Sequence, residues 1–315
     1  MTTHDQATVL ITGGNGNLGR LVAAKLSAAG TRVVKFDIPG TEPEEPSENE
    51  IVVSGDIRDR DLLETLISDY RPHTIYHLAS LLSGSSEADL RATWAINATA
   101  SFDLLQLAQT MGVERFFFAS TAASYGPVDS DPMLNDYPQW PENLYGATKV
   151  AVERAGVYFK QKHGLDFRCL RFPLVVSPWA PATAVSAFPS HALRAAFRGD
   201  SFRFPVAADT GVSTMFLEDV IDSIVDFNAA GRESLTEHVY NLHAFYLSAG
   251  MVAEAAKARF PGFDYTFEPV DAVDHLISSW PDVVDDSAAR RDWDWNPAFD
   301  LDAAIDRMCE MLAAE

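Results

Sequence analysis

The stretch Thr12-Gly13-Gly14-Asn15-Gly16-Asn17-Leu18-Gly19 limits what this chain can fold into more than any other. It follows the short apolar run 7–12, which predicts a buried strand, and opens a helical pattern over 17–29. Two glycine registers fit, Gly14-x-Gly16-x-x-Gly19 and Gly13-x-x-Gly16-x-x-Gly19. In a strand–turn–helix unit such glycines permit the tight turn and let backbone N–H groups approach a pyrophosphate at the helix N-terminus. A glycine turn without a ligand is the bland alternative. The strand before and the helix after favour a dinucleotide loop.

Further along, strands predicted at 31–38, 51–54, 73–79, 113–120 and 166–172 alternate with helices at 59–70, 88–111 and 143–163. This alternation predicts an α/β fold, a Rossmann-type doubly wound parallel sheet. Residues 40–50 read as an acidic, proline-bearing surface loop. After Pro173 the pattern changes, and Pro178, Pro181 and Pro189 crowd a short stretch. The expected organisation is a dinucleotide-binding domain over 1–173 with a returning segment near 213–242. A smaller C-terminal substrate lobe then covers 174–212 and 243–315.

Composition excludes several classes. Of 315 residues, 47% are hydrophobic and 22% charged, which rules out wholesale disorder. The net charge of −21 repels phosphate backbones, so no nucleic-acid partner is expected. No stretch reaches the ~18 apolar residues of a membrane span. There is no signal-peptide pattern, and the two cysteines, Cys169 and Cys309, make no CxxC. A cytoplasmic protein is expected. The eight histidines show no metal-ligand spacing, so no metal is expected. His77, Trp280, Trp293 and Trp295 are read as packing residues, and Asp285-Asp286 as a capping pair.

Asp37 ends the second predicted strand, 37 − 19 = 18 residues beyond the last motif glycine. An acidic residue about 20 positions on can hydrogen-bond the adenosine ribose and repel a 2′-phosphate, which favours NAD over NADP. Lys35 and Arg32 nearby keep NADP open. Tyr145 and Lys149 are four apart at the start of a predicted helix, hence on one face. An ammonium beside a phenol favours the phenolate, so Lys149 is expected to lower the Tyr145 pKa and fit it for proton transfer. Thr121, at the end of the fifth strand, offers a hydroxyl to a substrate oxygen, with Ser120 as its rival.

Together these elements resemble the extended short-chain dehydrogenase/reductase family, of the NAD-dependent epimerase/dehydratase type, over essentially the full chain. The matching residues are the glycine loop, Gly55-Asp56-Ile57, His77-Leu78-Ala79, Asn97, Ser120-Thr121, Tyr125-Gly126 and Tyr145…Lys149, with Thr121 lying 145 − 121 = 24 before the tyrosine. The resemblance implies that Gly13, Gly16, Asn17, Leu18, Asp37, Asp56, Ile57, Leu78, Ala79, Ser80, Asn97 and Phe172 bind NAD together with Tyr145 and Lys149. It also implies a catalytic set of Thr121, Tyr145 and Lys149, and pairing into a homodimer through the helices at 88–111 and 143–163.

Within the family the chain is most similar to short-chain L-threonine 3-dehydrogenases. The segments that carry this are 77–83, 170–173 and, most specifically, 279–287 with 289–293. It departs from them after Pro173, where Leu174 and then Pro178-Trp-Ala-Pro-Ala-Thr183 replace the usual glycine-rich loop. The implied reaction moves a hydride between NAD and a small β-hydroxy acid or amino acid. Ser83, Thr121, Tyr145, Thr183 and Thr214 are the expected substrate contacts. The alternatives are a sugar-nucleotide epimerase or dehydratase that retains its NAD, and a non-catalytic dinucleotide sensor. Against the sugar nucleotide, residues 209–219 carry no Lys or Arg to hold a diphosphate.

Overall fold

The computed structural model describes residues 7–41, 46–127, 132–182 and 184–314. Part of the acidic loop at 40–50, and Thr183, therefore lie outside the described residues. β1 (Thr8–Thr12) is buried at every position, as its unbroken apolar run requires of a strand covered on both faces. The glycine loop leads into α1 (Asn17–Ala28), then β2 (Arg32–Asp37) and β3 (Glu50–Ser54). Asp59 caps α2 (Arg60–Tyr70) by accepting from Leu62 N–H at 3.0 Å. β4 (Thr74–His77) follows, shorter than the predicted 73–79.

The region predicted as one helix over 88–111 is interrupted. After the short α3 (Ser83–Ser86) come α4 (Leu90–Trp94), a π-helical stretch over Ala95–Ala100, and α5 (Ser101–Thr110). β5 (Arg115–Thr121) and β6 (Asp166–Phe172) flank α6 (Leu144–His163), which Asn143 caps and the left-handed Gly164 ends.

Beyond β6 lie β7 (Leu174–Val176), α7 (Phe188–Arg198), β8 (Phe202–Phe204), β9 (Gly211–Phe216) and α8 (Leu217–Ala229). Then come β10 (Tyr240–Asn241), β11 (Phe245–Ser248), α9 (Ala249–Arg259) and β12 (Tyr265–Phe267). The chain closes with α10 (Asp271–Ser278), α11 (Ser287–Trp293) and α12 (Leu301–Ala313).

Seven strands form one sheet in the order β10-β6-β5-β4-β1-β2-β3, every pair parallel. One face packs on α1, α8 and α11 and the other on α2, α5 and α6, each with its own apolar core. A third core, around Phe188, Phe204, Phe216 and Met308, holds β7–β9–β11, β8–β12 and the helices α7, α9 and α12. The predicted returning stretch divides: β9 joins the smaller sheet, α8 packs against α1 and β6, and β10 extends the large sheet beside β6. Among the described residues no helix is long and apolar enough to cross a membrane.

Candidate active site

The strand order reverses between β1 and β4. A cavity of about 600 Å³ opens beyond the C-terminal ends of the sheet, where such folds bind ligands. Gly13 and Gly19 of the loop tolerate no side chain. A Cβ on Gly13, whose φ is +71°, would lie 2.7 Å from Ala79 N, and one on Gly19 would lie 2.1 Å from the Gly13 carbonyl. This contact presses the loop against β4 and the start of α1, which brings Gly13, Gly16, Asn17 and Leu18 to the wall opposite Leu78, Ala79 and Ser80. Gly16 is the N-cap of α1 and no side chain caps it, so the first amides of the helix are left for an anion. The residues thus fit the pyrophosphate of a dinucleotide.

Asp37 lines the same cavity at the end of β2. Its carboxylate accepts from Asn15 N–H at 2.9 Å and Ile38 N–H at 2.8 Å. The two cations that kept NADP open are occupied elsewhere. Lys35 is buried in an ion pair with Glu50 at 2.8 Å, and Arg32 lies over the Tyr70 ring at 5.7 Å. Asp56 and Ile57 line the cavity beside Arg58, whose guanidinium holds the Asp56 carboxyl below the usual carboxylate range.

At the other end of the crevice β5 and β6 finish level, with Thr121 opposite Phe172, and both line the cavity. The Thr121 hydroxyl accepts from Ala123 N–H at 3.2 Å and lies close enough to the Tyr145 phenol to pull its pKa down. Lys149, one helical turn beyond Tyr145, donates from Nζ to the Ala119 carbonyl at 2.8 Å and sits 5.4 Å from the centre of the Tyr145 ring. Ser120 turns away and donates to Glu153 beneath the site, so Thr121 is the hydroxyl that meets the tyrosine.

A family model for the NAD dependent epimerase/dehydratase family matches residues 9–242. This chain belongs to that family. It is an NAD-dependent oxidoreductase of the extended short-chain dehydrogenase/reductase type. The mitochondrial L-threonine 3-dehydrogenase of Bos taurus is 31% identical over 99% of this chain and 84% of its own length. An uncharacterized epimerase/dehydratase of Staphylococcus saprophyticus is 29% identical over 96% of both chains. The L-threonine dehydrogenase of Clostridium difficile superposes with a TM-score of 0.91 at 27% identity, covering 98% of each chain. A UDP-glucose 4-epimerase from Thermotoga maritima shares the fold, with a TM-score of 0.85 at 22% identity over 98% of this chain and 99% of its own.

In this dehydrogenase/reductase the electrostatics differ from the sequence expectation. Burial pushes the Tyr145 phenol up to about 12, against the smaller downward pull of the Thr121 hydroxyl. The same desolvation brings Lys149 down to about 8. Lys149 therefore keeps its charge at neutral pH, but it is not among the groups that shift the phenol, where burial dominates.

Two expected contacts, Asn97 and Thr214, need correction. Asn97 does not line the cavity. Its amide brackets Leu81 from behind, accepting from Leu81 N–H at 2.8 Å and donating to Leu81 C=O at 2.9 Å, and so fixes the wall segment that follows β4. Thr214 is fully buried, with its hydroxyl donating to the Val212 carbonyl at 3.1 Å; its neighbour Ser213 lines the cavity instead. Thr183 lies outside the described residues. Ser83 lines the cavity as expected. Trp280, read as packing, is also in the wall, together with Pro281 and Ser186. The signal available for Trp280 was its place in the segment most specific to the resemblance. Asp285 accepts from Ser287 N–H, while Asp286, at the N-cap of α11, makes no capping bond and instead clamps the Arg290 and Trp295 side chains; no metal-ligand cluster occurs among the described residues.

His77 is buried between the glycine loop and the π-helical stretch. Ser101 donates its proton to the Asn97 carbonyl at 2.7 Å, so at 2.7 Å His77 Nε2 donates to Ser101 Oγ, while Nδ1 accepts from Thr12 Oγ1 at 2.6 Å. Both nitrogens are satisfied in the neutral ring, and burial pulls the pKa down from 6.5 to about 3. Between these values the unfolded chain binds a proton that the folded one refuses, so stability falls as the pH drops from 6.5 towards 3. The expected slope from this group is at most about 1.4 kcal/mol per pH unit. Urea unfolding at pH 6 and at pH 4.5 checks it, since His77→Gln loses that slope. An unchanged slope assigns the acid sensitivity elsewhere.

Proposed function

We propose that the enzyme moves a hydride between NAD and a small β-hydroxy acid or amino acid, an L-threonine-like substrate. The observation that carries this reading is Thr121 beside Tyr145, with Lys149 one helical turn on, at a cavity whose described lining offers no second, cationic clamp for a substrate diphosphate. The only Lys and Arg among the described lining residues are Lys149 and Arg58, and Arg58 is forked onto Asp56. Arg194 donates to the Pro178 carbonyl, and Arg203 is exposed beside Glu268.

When bound, NAD would be held by the glycine loop, Asp37, Tyr145 and Lys149, and would supply the hydride acceptor and a positive charge that favours the phenolate. Thr121 orients the substrate hydroxyl towards Tyr145. Once its own proton has left, the Tyr145 phenolate takes the substrate hydroxyl proton while the carbinol carbon gives up its hydride, leaving a ketone. Lys149 steadies the phenolate. The Rossmann part, 1–173 with 213–242, holds the cofactor in this reading, and the lobe of 174–212 and 243–315 holds the substrate.

The test is a panel of L-threonine, 3-hydroxy acids and UDP-sugars with NAD, read at the NADH absorbance. Continuous NADH formation with a small alcohol supports the proposal. A UDP-sugar converted without NADH formation supports the retained-NAD epimerase and overturns it.

Asp37 is assigned to the adenosine ribose. In Asp37→Ala the kcat/KM ratio of NAD to NADP is expected to fall by about tenfold or more, because a carboxylate repelling a 2′-phosphate is gone. An unchanged ratio places the discrimination elsewhere. A homodimer is also proposed. Leu90, Trp94 and Phe102 on α4 and α5 and Tyr158 on α6 are exposed on neighbouring helices. Light scattering at micromolar concentration is expected to give a dimer mass, and a monomer mass counts against it.

A further inference from the structure

We propose that the Ser213 hydroxyl anchors the substrate's carboxylate, and that His243, bonded behind it, is the positioning residue that turns its proton into the cavity. The inference rests on the dehydrogenase reading above and deepens it, since a carboxylate is what a β-hydroxy acid and an amino acid have in common.

Ser213 stands close to the reacting groups because of how the two sheets meet. Thr121 pairs with Phe172 at the ends of β5 and β6. One residue on, Pro173 leads into β7, whose Leu174 pairs with Thr214 of β9. That parallel register sets Ser213 beside Pro173, one strand spacing of about 4.8 Å from the chain that carries Phe172. Ser213 and Pro173 both line the cavity. The serine backbone is pinned, because its N–H donates to the Pro281 carbonyl at 3.0 Å and it pairs with Tyr246 of β11.

His243 lies where the chain crosses from the large sheet to the small one, between β10 and β11. Main-chain bonds hold it on both sides, from Leu242 N–H to the Arg171 carbonyl and from Ala244 N–H to the Thr214 carbonyl, each at 3.3 Å. Its Nδ1 is 2.7 Å from Ser213 Oγ. A serine hydroxyl has one proton and two lone pairs. With the imidazole proton on Nδ1, the ring donates to a lone pair of Oγ, and the serine's own proton is left for a group in the cavity. A carboxylate accepts it in a charge-assisted bond, shorter and stronger than a neutral one. Without the imidazole the hydroxyl is free to spend its proton on nearby backbone, as that of Thr214 does on the Val212 carbonyl.

Kinetics and calorimetry test this. Ser213→Ala and His243→Ala are each expected to lower the kcat/KM ratio of L-threonine to 1-amino-2-propanol, and of 3-hydroxybutyrate to 2-propanol, by about tenfold or more, through KM rather than kcat. Each pair of compounds differs only by the carboxylate. The Trp280 indole N–H in the same wall is common to every variant and cancels in these ratios. The double variant is expected to lose no more than Ser213→Ala alone, because His243 acts through the hydroxyl. His243→Asn, whose amide donates from nearly the position of Nδ1, is expected to restore most of the loss. Equal losses on the carboxylate-free alcohols, additive losses in the double variant, or no rescue by asparagine overturn the inference and leave the dehydrogenase reading standing. If no alcohol yields NADH, that reading fails, and titrating the NADH-loaded proteins with acetoacetate and with acetone decides the anchor. Acetoacetate that binds the parent no better than acetone does, or that binds Ser213→Ala as tightly as the parent, overturns it.

Discussion

Tyr145→Phe is expected to lose turnover by roughly 10²–10⁴-fold, the usual share of a general acid–base group, while binding NAD as the parent does. The substitution keeps the ring against Lys149 and removes only the phenolic oxygen beside Thr121. Burial holds the phenol at about 12, so the tyrosine rests as a proton donor and needs substrate hydroxyl and cofactor charge to ionise. Ionisation in the loaded site is where its oxygen acts, and phenylalanine has none. Steady-state NADH formation measures the loss, and quenching of protein fluorescence by NADH measures retained binding. Near-parental kcat would send the proton to another group. A matching loss of NADH binding would make the effect structural. Lys149→Met is expected to lower both quantities, because its Nζ also ties α6 to the end of β5 through Ala119.

The parts of this site legible in the sequence are those set by local spacing. The glycine loop, the turn separating Tyr145 from Lys149, and the acidic end of β2 each follow from a few neighbouring residues. Residues placed by tertiary pairing were not legible. Which of Ser213 and Thr214 meets the cavity depends on how β9 pairs with β7 and β11. Trp280 reaches the wall because Ser213 N–H donates to the Pro281 carbonyl at 3.0 Å, a contact between distant stretches of chain. Asn97 stands in a π-helical stretch that a helical period cannot reveal, and its amide is spent on Leu81. The rise in the Tyr145 pKa comes from burial, which the spacing to Lys149 does not report.

Arg171→Met is expected to destabilise the fold by about 3–5 kcal/mol, the range for breaking a buried ion pair from one side. Arg171 on β6 and Glu153 on α6 have side chains 3% and 0% exposed, joined at 2.8 Å and 3.0 Å. The guanidinium also donates to the Tyr125 hydroxyl at 2.6 Å and the Asn135 carbonyl at 2.8 Å, and Tyr125 passes its proton to Asn241 at 2.8 Å. Removing Arg171 leaves the Glu153 carboxylate with only Ser120 and Gln139 as partners. The double variant Arg171→Met/Glu153→Met removes both charges, and is expected to recover a large part of the loss because no unpaired ion remains. Urea midpoints of the parent, the single and the double variant measure this. A single variant within about 1 kcal/mol of the parent would contradict the assignment, as would a double variant no more stable than the single. The consequence reaches the site, because Ser120 precedes Thr121 on β5 and Glu153 lies one turn beyond Lys149 on α6. The buried pair thus fixes the strand end and the helix that bring the three reacting side chains together.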